Sequence, residues 1–236
     1  MRVVESAFRA VVFDLDGVIV DSHPLHKRAW RAFLSDLGRK VSDSDLDFIL
    51  EGRRRREILT HFLGELSESE IEKYGNKKDE YVMQAGDDLK AVSGVLELIQ
   101  ALKVSQIRMA VATSASRQRA HKTLGHFGVA ECFDAVVTGD DAVFGKPDPA
   151  IYRLAAQRLS LAPELILAVE DSVSGVRSAK SAGMACLGLA TGHSARALVE
   201  AGADHVLPHL DGLSIQDLRT MYAVARTPHG KQVLRA

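Results

Sequence analysis

Five short runs rich in Val, Ile, Leu and Ala punctuate this chain without polar alternation: Ala10 to Phe13, Met109 to Ala112, Ala135 to Val137, Leu165 to Val169 and Ala185 to Leu189. A strand with one wet face alternates polar and apolar residues, so unbroken runs fit strands buried on both faces of a parallel sheet. Stretches with helical spacing and a polar face lie between them, at Val95 to Leu102, Ala150 to Leu159 and Val173 to Ala182, the last followed by Gly183. Glycine favours a helix C-terminus. Strand and helix in alternation predict an α/β fold, a doubly wound parallel-sheet core.

One stretch breaks that rhythm. From Asp21 to Asp88 no strand-like run occurs, while helical apolar spacing recurs at Trp30, Phe33, Leu34 and Leu37 and again at Ile58, Leu59, Phe62 and Leu63. The expected organisation is a core of residues 1–20 and 89–236 carrying an inserted α-helical cap, 21–88. Between Val20 and Lys90 there are 13 basic and 15 acidic residues. A net charge of that sign does not suit nucleic acid. The whole chain of 236 residues has a net charge of −1.

The longest apolar run, counting glycine, is nine residues from Ala182 to Ala190, about half of the roughly 18–20 a membrane-spanning helix needs. Glu5 and Arg9 interrupt what would have to be the apolar stretch of a signal peptide, and Asp14 follows just beyond it. Cys132 and Cys186 stand 54 positions apart, which suggests neither a disulfide framework nor a zinc site. The expectation is a cytoplasmic chain, monomeric or weakly homo-oligomeric, with no nucleic-acid or membrane partner.

Polar residues gather where the buried runs end. The first leads into Asp14-Leu15-Asp16-Gly17-Val18. On strand geometry Asp14 and Asp16 point the same way, and adjacent carboxylates repel unless a cation or a proton lies between them. A strand-terminating turn would also use Asp and Gly. The run through Ala112 ends in Thr113-Ser114-Ala115-Ser116 before a helix-like stretch, where hydroxyls and free amides can cradle phosphate or simply cap the helix. Ala135 to Val137 is followed by Gly145-Lys146-Pro147-Asp148-Pro149, in which the prolines restrict the backbone around a lysine that otherwise reads as a solvated loop residue. Leu165 to Val169 ends in Glu170-Asp171-Ser172, where an acidic residue also suits a helix N-terminus. Taken together, two carboxylate clusters, one hydroxyl cluster and one lysine at the exits of buried strands compose a site for a hard cation and a phosphate group.

In order and spacing, Asp14-Leu15-Asp16-Gly17-Val18, Thr113-Ser114, Lys146-Pro147 and Glu170-Asp171-Ser172 resemble the four motifs of the haloacid dehalogenase superfamily. With Ile19, His26 and Ala29-Trp30 added, the likeness is greatest to the branch of β-phosphoglucomutase and small sugar-phosphate phosphatases. The resemblance implies that Asp14 is a nucleophile forming an aspartyl-phosphate and that Asp16 is the general acid and base. It further implies Mg²⁺ held by Asp14, the Asp16 backbone carbonyl, Asp171 and Glu170, with Ser114 or Thr113 and Lys146 on the phosphoryl oxygens. In the cap it places His26 near the leaving group, Arg55 on a second phosphate and Lys77 reaching inward, although Arg53 to Arg56 form an unbroken run whose inward register stays open.

The second Asp argues against dehalogenation, which has no leaving alkoxide to protonate. Val92-Ser93-Gly94, where the cap rejoins the core, departs from the proline often found there in this family. The expected activity is therefore Mg²⁺-dependent hydrolysis of a small phosphorylated metabolite, a sugar or polyol phosphate, with a phosphosugar mutase as the alternative. A catalytically silent phosphate-binding protein is a weaker alternative, because every catalytic position is filled.

Overall fold

The computed structural model describes residues 7–50, 53, 55–84 and 89–227. The sequence readings that touch Glu5, Arg54 and Asp88 lie outside them.

Among the described residues six strands form one parallel sheet: β1 (Ala10–Phe13), β2 (Arg108–Ala112), β3 (Ala135–Val137), β4 (Ile166–Glu170), β5 (Ala185–Leu189) and β6 (His205–Leu207). Their spatial order is β3-β2-β1-β4-β5-β6, with every pairing parallel. Successive β1 side chains point to opposite faces, and each face has its own core. Val11 and Phe13 pack with residues of α5 (Val95–Val104), α6 (Arg117–His126) and α10 (Ile215–Ala225). Ala10 and Val12 pack with α7 (Ala150–Arg158), α8 (Val173–Ser181) and α9 (Ala195–Ala201). Burial on both sides is why these strands carry no polar alternation.

The strand order decides where a ligand can sit. β1 is flanked by β2 on one side and β4 on the other, so the chain leaves it towards opposite halves of the sheet, and the crevice beyond the strand ends opens there. The exits of β3, β2, β1 and β4 are neighbours, which gathers all four polar clusters at one edge.

Among the described residues, four helices lie between β1 and α5: α1 (His23–Asp36), α2 (Asp43–Leu50), α3 (Arg55–Leu63) and α4 (Glu68–Gln84). They close over a separate core that includes Trp30, Phe33, Leu34, Ile58 and Leu59. The two connections run side by side, with the Asp21 amide donating to Lys90 O at 2.8 Å and the Val92 amide to Ile19 O at 3.1 Å. Ser93-Gly94 has a packing reason: Gly94 has φ +80°, and a Cβ there would meet the Leu210 backbone at 2.3 Å. Ser93 Oγ donates to Asp211 Oδ1 at 2.6 Å. Glycine at this junction therefore lets a neighbouring loop approach too closely for any side chain.

Candidate active site

The ladder of hydrogen bonds continues past the strands and holds the first functional residues in place. The Asp14 amide donates to Val169 O and the Thr113 amide to Val137 O, both at 3.0 Å. Gly17 turns the chain away with φ +72°, and a Cβ there would stand 2.1 Å from Asp171 Oδ2. No side chain can replace it without displacing Asp171.

Beneath the cleft floor Lys146 reaches inward from the loop after β3. Its ammonium lies 3.1 Å from Asp14 Oδ1 and 2.5 Å from Glu170 Oε1. Burial pushes the lysine pKa down, but Asp14 and Glu170 more than reverse this, so it stays charged. Glu170, fully buried, is held throughout. Oε1 also accepts from Tyr152 Oη at 2.8 Å, while Oε2 accepts from the Asp171 and Ser172 amides at 3.0 and 3.1 Å.

Asp14, Glu170 and Asp171 bring carboxylate oxygens within 4.8 Å of one another, all three residues buried. Burial raises the Asp14 pKa well above its ordinary value, Lys146 opposes the rise, and the neighbouring carboxylates add to it. Asp171 is raised by burial and lowered in part by His23, whose Nε2 lies 2.9 Å from Asp171 Oδ2. Neither Asp14 Oδ1 nor Asp171 Oδ2 accepts a well-aligned hydrogen bond. Buried oxygens of Asp14 and Asp171 left short of partners, beside the charge of a fully bonded Glu170 and with no nitrogen or sulfur ligand in the cluster, fit a small hard dication such as Mg²⁺.

Asp16 has a different environment. Its Oδ1 accepts from Ser22 Oγ at 2.6 Å and faces His26 Nε2 at 3.1 Å, and the Arg119 guanidinium spans both of its oxygens. Burial would raise its pKa, but Arg119 and His26 hold it well below the ordinary carboxylate range. Burial and the adjacent Lys78 ammonium depress His26 to about 4, so the ring is neutral near pH 7. Its partners assign the tautomer: Nε2–H donates to Asp16, and Nδ1 accepts from Lys78 Nζ at 3.1 Å.

A cavity of about 90 Å³ between sheet edge and cap is lined by Asp14, Asp16, His26, Thr113 to Ser116, Arg55 and Asp171, while Lys146 and Glu170 lie beneath it. Thr113 Oγ1 accepts from the Ala115 amide at 3.1 Å, a use within its own turn, whereas Ser114 is half-buried at the cleft. Lys77 requires a correction. It is exposed on α4, and the lysine that enters the cleft is Lys78, 5% exposed, its ammonium 5.3 Å from the centre of the Trp30 ring. Consecutive helical residues project about 100° apart, so only one of the pair can face inward.

The sequence motifs do not single out Arg119, Lys78, Tyr152, Asp79 or His23, all of which the fold brings to the cleft or beneath it. For Arg119 a signal existed: α6 opens with Arg117 and Arg119 and has no acidic residue in its first turn. Cations there oppose the helix dipole and call for an anion nearby. Asp79 Oδ2 accepts from Arg55 and, at 3.3 Å, from Ser116 Oγ, joining cap to core.

The loop that carries Lys146 is pinned by Asp141. Asp141 Oδ2 accepts from the Thr138 amide and hydroxyl at 2.9 and 2.7 Å, and Oδ1 from Arg117 and Arg158. Burial raises its pKa, but these bonds lower it from 3.8 to about 2. A depressed acid stabilises the fold above its unfolded pKa and loses that contribution as pH falls through the folded one. Asp141→Asn is therefore expected to cost about 1–2 kcal/mol at pH 7. In urea unfolding the gap from wild type should narrow as pH drops from 3.8 towards 2.

Comparison with known proteins accords with this geometry. The family model of the haloacid dehalogenase-like hydrolases matches residues 8–183. The phosphorylated carbohydrates phosphatase of Thermotoga maritima is 36% identical over 199 residues, 82% of this chain and 91% of that protein. The β-phosphoglucomutase of Bacillus subtilis is 31% identical over 219 residues, 88% of this chain and 92% of that protein. Among solved structures, a β-phosphoglucomutase from Clostridium difficile superposes with a TM-score of 0.81 at 25% identity, covering 91% of this chain and 97% of that one. The match spans every strand exit that supplies the cleft, and on it the chain belongs to the haloacid dehalogenase-like hydrolases.

Proposed function

We propose that this chain is a Mg²⁺-dependent phosphatase of a small phosphorylated sugar or polyol, with residues 1–20 and 89–236 as catalytic core and 21–88 as cap. The observation that carries the reading is the buried cluster of Asp14, Glu170 and Asp171 over the Lys146 ammonium, with Ser114 at the same cleft. The name of the Thermotoga maritima relative supports the substrate class.

Asp14 attacks phosphorus through a carboxylate oxygen and the bond from phosphorus to the leaving oxygen breaks; Asp16, ionised while Arg119 holds it, takes up a proton from solvent once that contact opens and gives it to the leaving oxygen. The resulting aspartyl-phosphate is opened by water. Asp16 takes the water's proton, the new oxygen bonds to phosphorus, and Asp14 leaves as a free carboxylate. Ser114 and Lys146 bear on the phosphoryl oxygens as charge redistributes. Asp14, Asp171 and the Asp16 carbonyl would hold Mg²⁺, with Glu170, whose oxygens are filled by Lys146, Tyr152 and backbone amides, adding its charge alongside; the ion would supply the positive charge that lets an anionic nucleophile meet an anionic phosphate. The cap keeps bulk water from the cleft.

A screen of sugar and polyol phosphates with Mg²⁺ tests the reading. Release of inorganic phosphate from at least one of them, lost on chelation with EDTA and restored by Mg²⁺, is expected. Conversion of β-glucose 1-phosphate to glucose 6-phosphate without net phosphate release would place the chain with the mutases, the reading that the Bacillus subtilis and Clostridium difficile relatives favour.

A further inference from the structure

Arg119 moves no proton in the steps above, yet it makes a two-point ion pair with the residue that transfers the proton. Nη1 donates to Asp16 Oδ1 at 2.8 Å and Nη2 to Asp16 Oδ2 at 2.5 Å, with the arginine side chain only 13% exposed. Ser22 and His26 occupy Oδ1 as well. Oδ1 is thus filled by three donors, and Oδ2 is turned to the second nitrogen of the fork, so a leaving oxygen has to compete with Arg119 for Asp16. Arg119 is held where the helix dipole disfavours it, and the anions around it are Asp16, Asp79 and Asp14.

We infer that Arg119 is a positioning and specificity residue: it latches Asp16, and the latch opens when two neighbouring oxygens of the substrate's leaving group take over the guanidinium fork. The inference rests on the phosphatase reading above. Vicinal hydroxyls suit the position because a hydroxyl can accept from the guanidinium and also donate to Asp79, which lines the same cavity. A carboxylate could not donate, and it would add an anion to a cleft that already holds Asp14, Asp16, Asp79 and Asp171. A plain alkyl ester offers no such pair and leaves the latch shut. Arginine suits this exchange because its planar donors match two oxygens at once.

The test compares wild type, Arg119→Ala and Arg119→Lys on two substrates, sorbitol 6-phosphate and n-propyl phosphate, measuring kcat and KM separately, with Asp14→Asn as the blank. Wild type should prefer the polyol ester. In Arg119→Ala the ratio of the two kcat/KM values should fall by roughly tenfold or more, the scale of a lost charged hydrogen bond. Part of that fall should come from a raised KM for the polyol ester and part from a raised kcat for the propyl ester, which loss of structural support would not produce. Arg119→Lys keeps the charge but not the fork, so it should melt near wild type and still lose the preference; it carries the test if the alanine variant does not fold. A ratio that stays within about threefold of wild type in the folded variants overturns the inference, as does a wild type that does not prefer the polyol ester. If wild type hydrolyses neither these nor any other phosphomonoester, the phosphatase reading itself falls and takes the latch with it, an outcome distinct from turnover without discrimination.

Discussion

Asp14→Asn will lower kcat for phosphate release by at least about 10⁴-fold, because an amide cannot serve as the attacking carboxylate. The substitution keeps the shape of a side chain that is 5% exposed and fixed on the strand edge by the Val169 carbonyl. The fold should survive. Removing one carboxylate from the crowded Asp14, Glu170 and Asp171 cluster also relieves repulsion, so thermal unfolding without metal should shift little or upward. Loss of activity with an intact melting transition is therefore the expected pair of results. A large drop in stability with proportionate residual activity would mean that Asp14 supports structure and not chemistry.

Lys146→Met should produce the largest combined effect on stability and rate. The lysine is 2% exposed and pairs with Asp14 and with Glu170, which is itself fully buried. Methionine fills similar space but leaves two buried carboxylates without their cation, a change that typically costs about 3–5 kcal/mol. Loss of a charge placed against the phosphoryl oxygens should lower kcat by a further factor of about 10²–10³. The stability loss carries a pH signature. Burial already raises the Asp14 pKa, and Lys146 is what opposes the rise, so removing it lifts the folded pKa further. An acid raised in the folded state favours folding at low pH and loses that contribution as pH climbs through the folded pKa. The gap between variant and wild type should thus be widest near neutral pH and shrink on acidification, measured by urea unfolding across pH.

The core was legible because its strands are buried on both faces, which prints unbroken apolar runs on the sequence. β1, β3 and β5 occupy the expected residues. β4 begins and ends one residue later than read, because Leu165 belongs to a tight turn opened by Pro163 and the strand runs on through Glu170. That shift matters for function, since it makes Glu170 the buried end of a strand and Asp171 the first residue beyond it. β6 left no signal: it is three residues long and only half-buried. α10 could have been found from Ser214 and Asp217, which form a reciprocal capping box.

The site divides in the same way. Residues held by backbone at strand exits, Asp14, Thr113, Glu170 and Asp171, could be placed from spacing alone. Those set by side-chain reach across the cleft could not. The choice between Lys77 and Lys78 depends on the rotation of α4 against Trp30. The role of Arg119 depends on Asp16, 103 positions earlier in the chain. Tyr152 depends on a hydrogen bond to Glu170 beneath the sheet edge. Local pattern records what the backbone does within a few residues, whereas these contacts exist only after β1, α4, α6 and α7 have packed.

The central claim, that Asp14 accepts the phosphoryl group, is tested most directly by trapping the protein in acid during turnover of a hydrolysed sugar or polyol phosphate and mapping the modification by mass spectrometry. The account predicts the mass of one phosphoryl group on the peptide containing Asp14, absent when Asp14→Asn is treated in the same way. A phosphoryl group on any other residue, or turnover with Asp14 never modified, would contradict it.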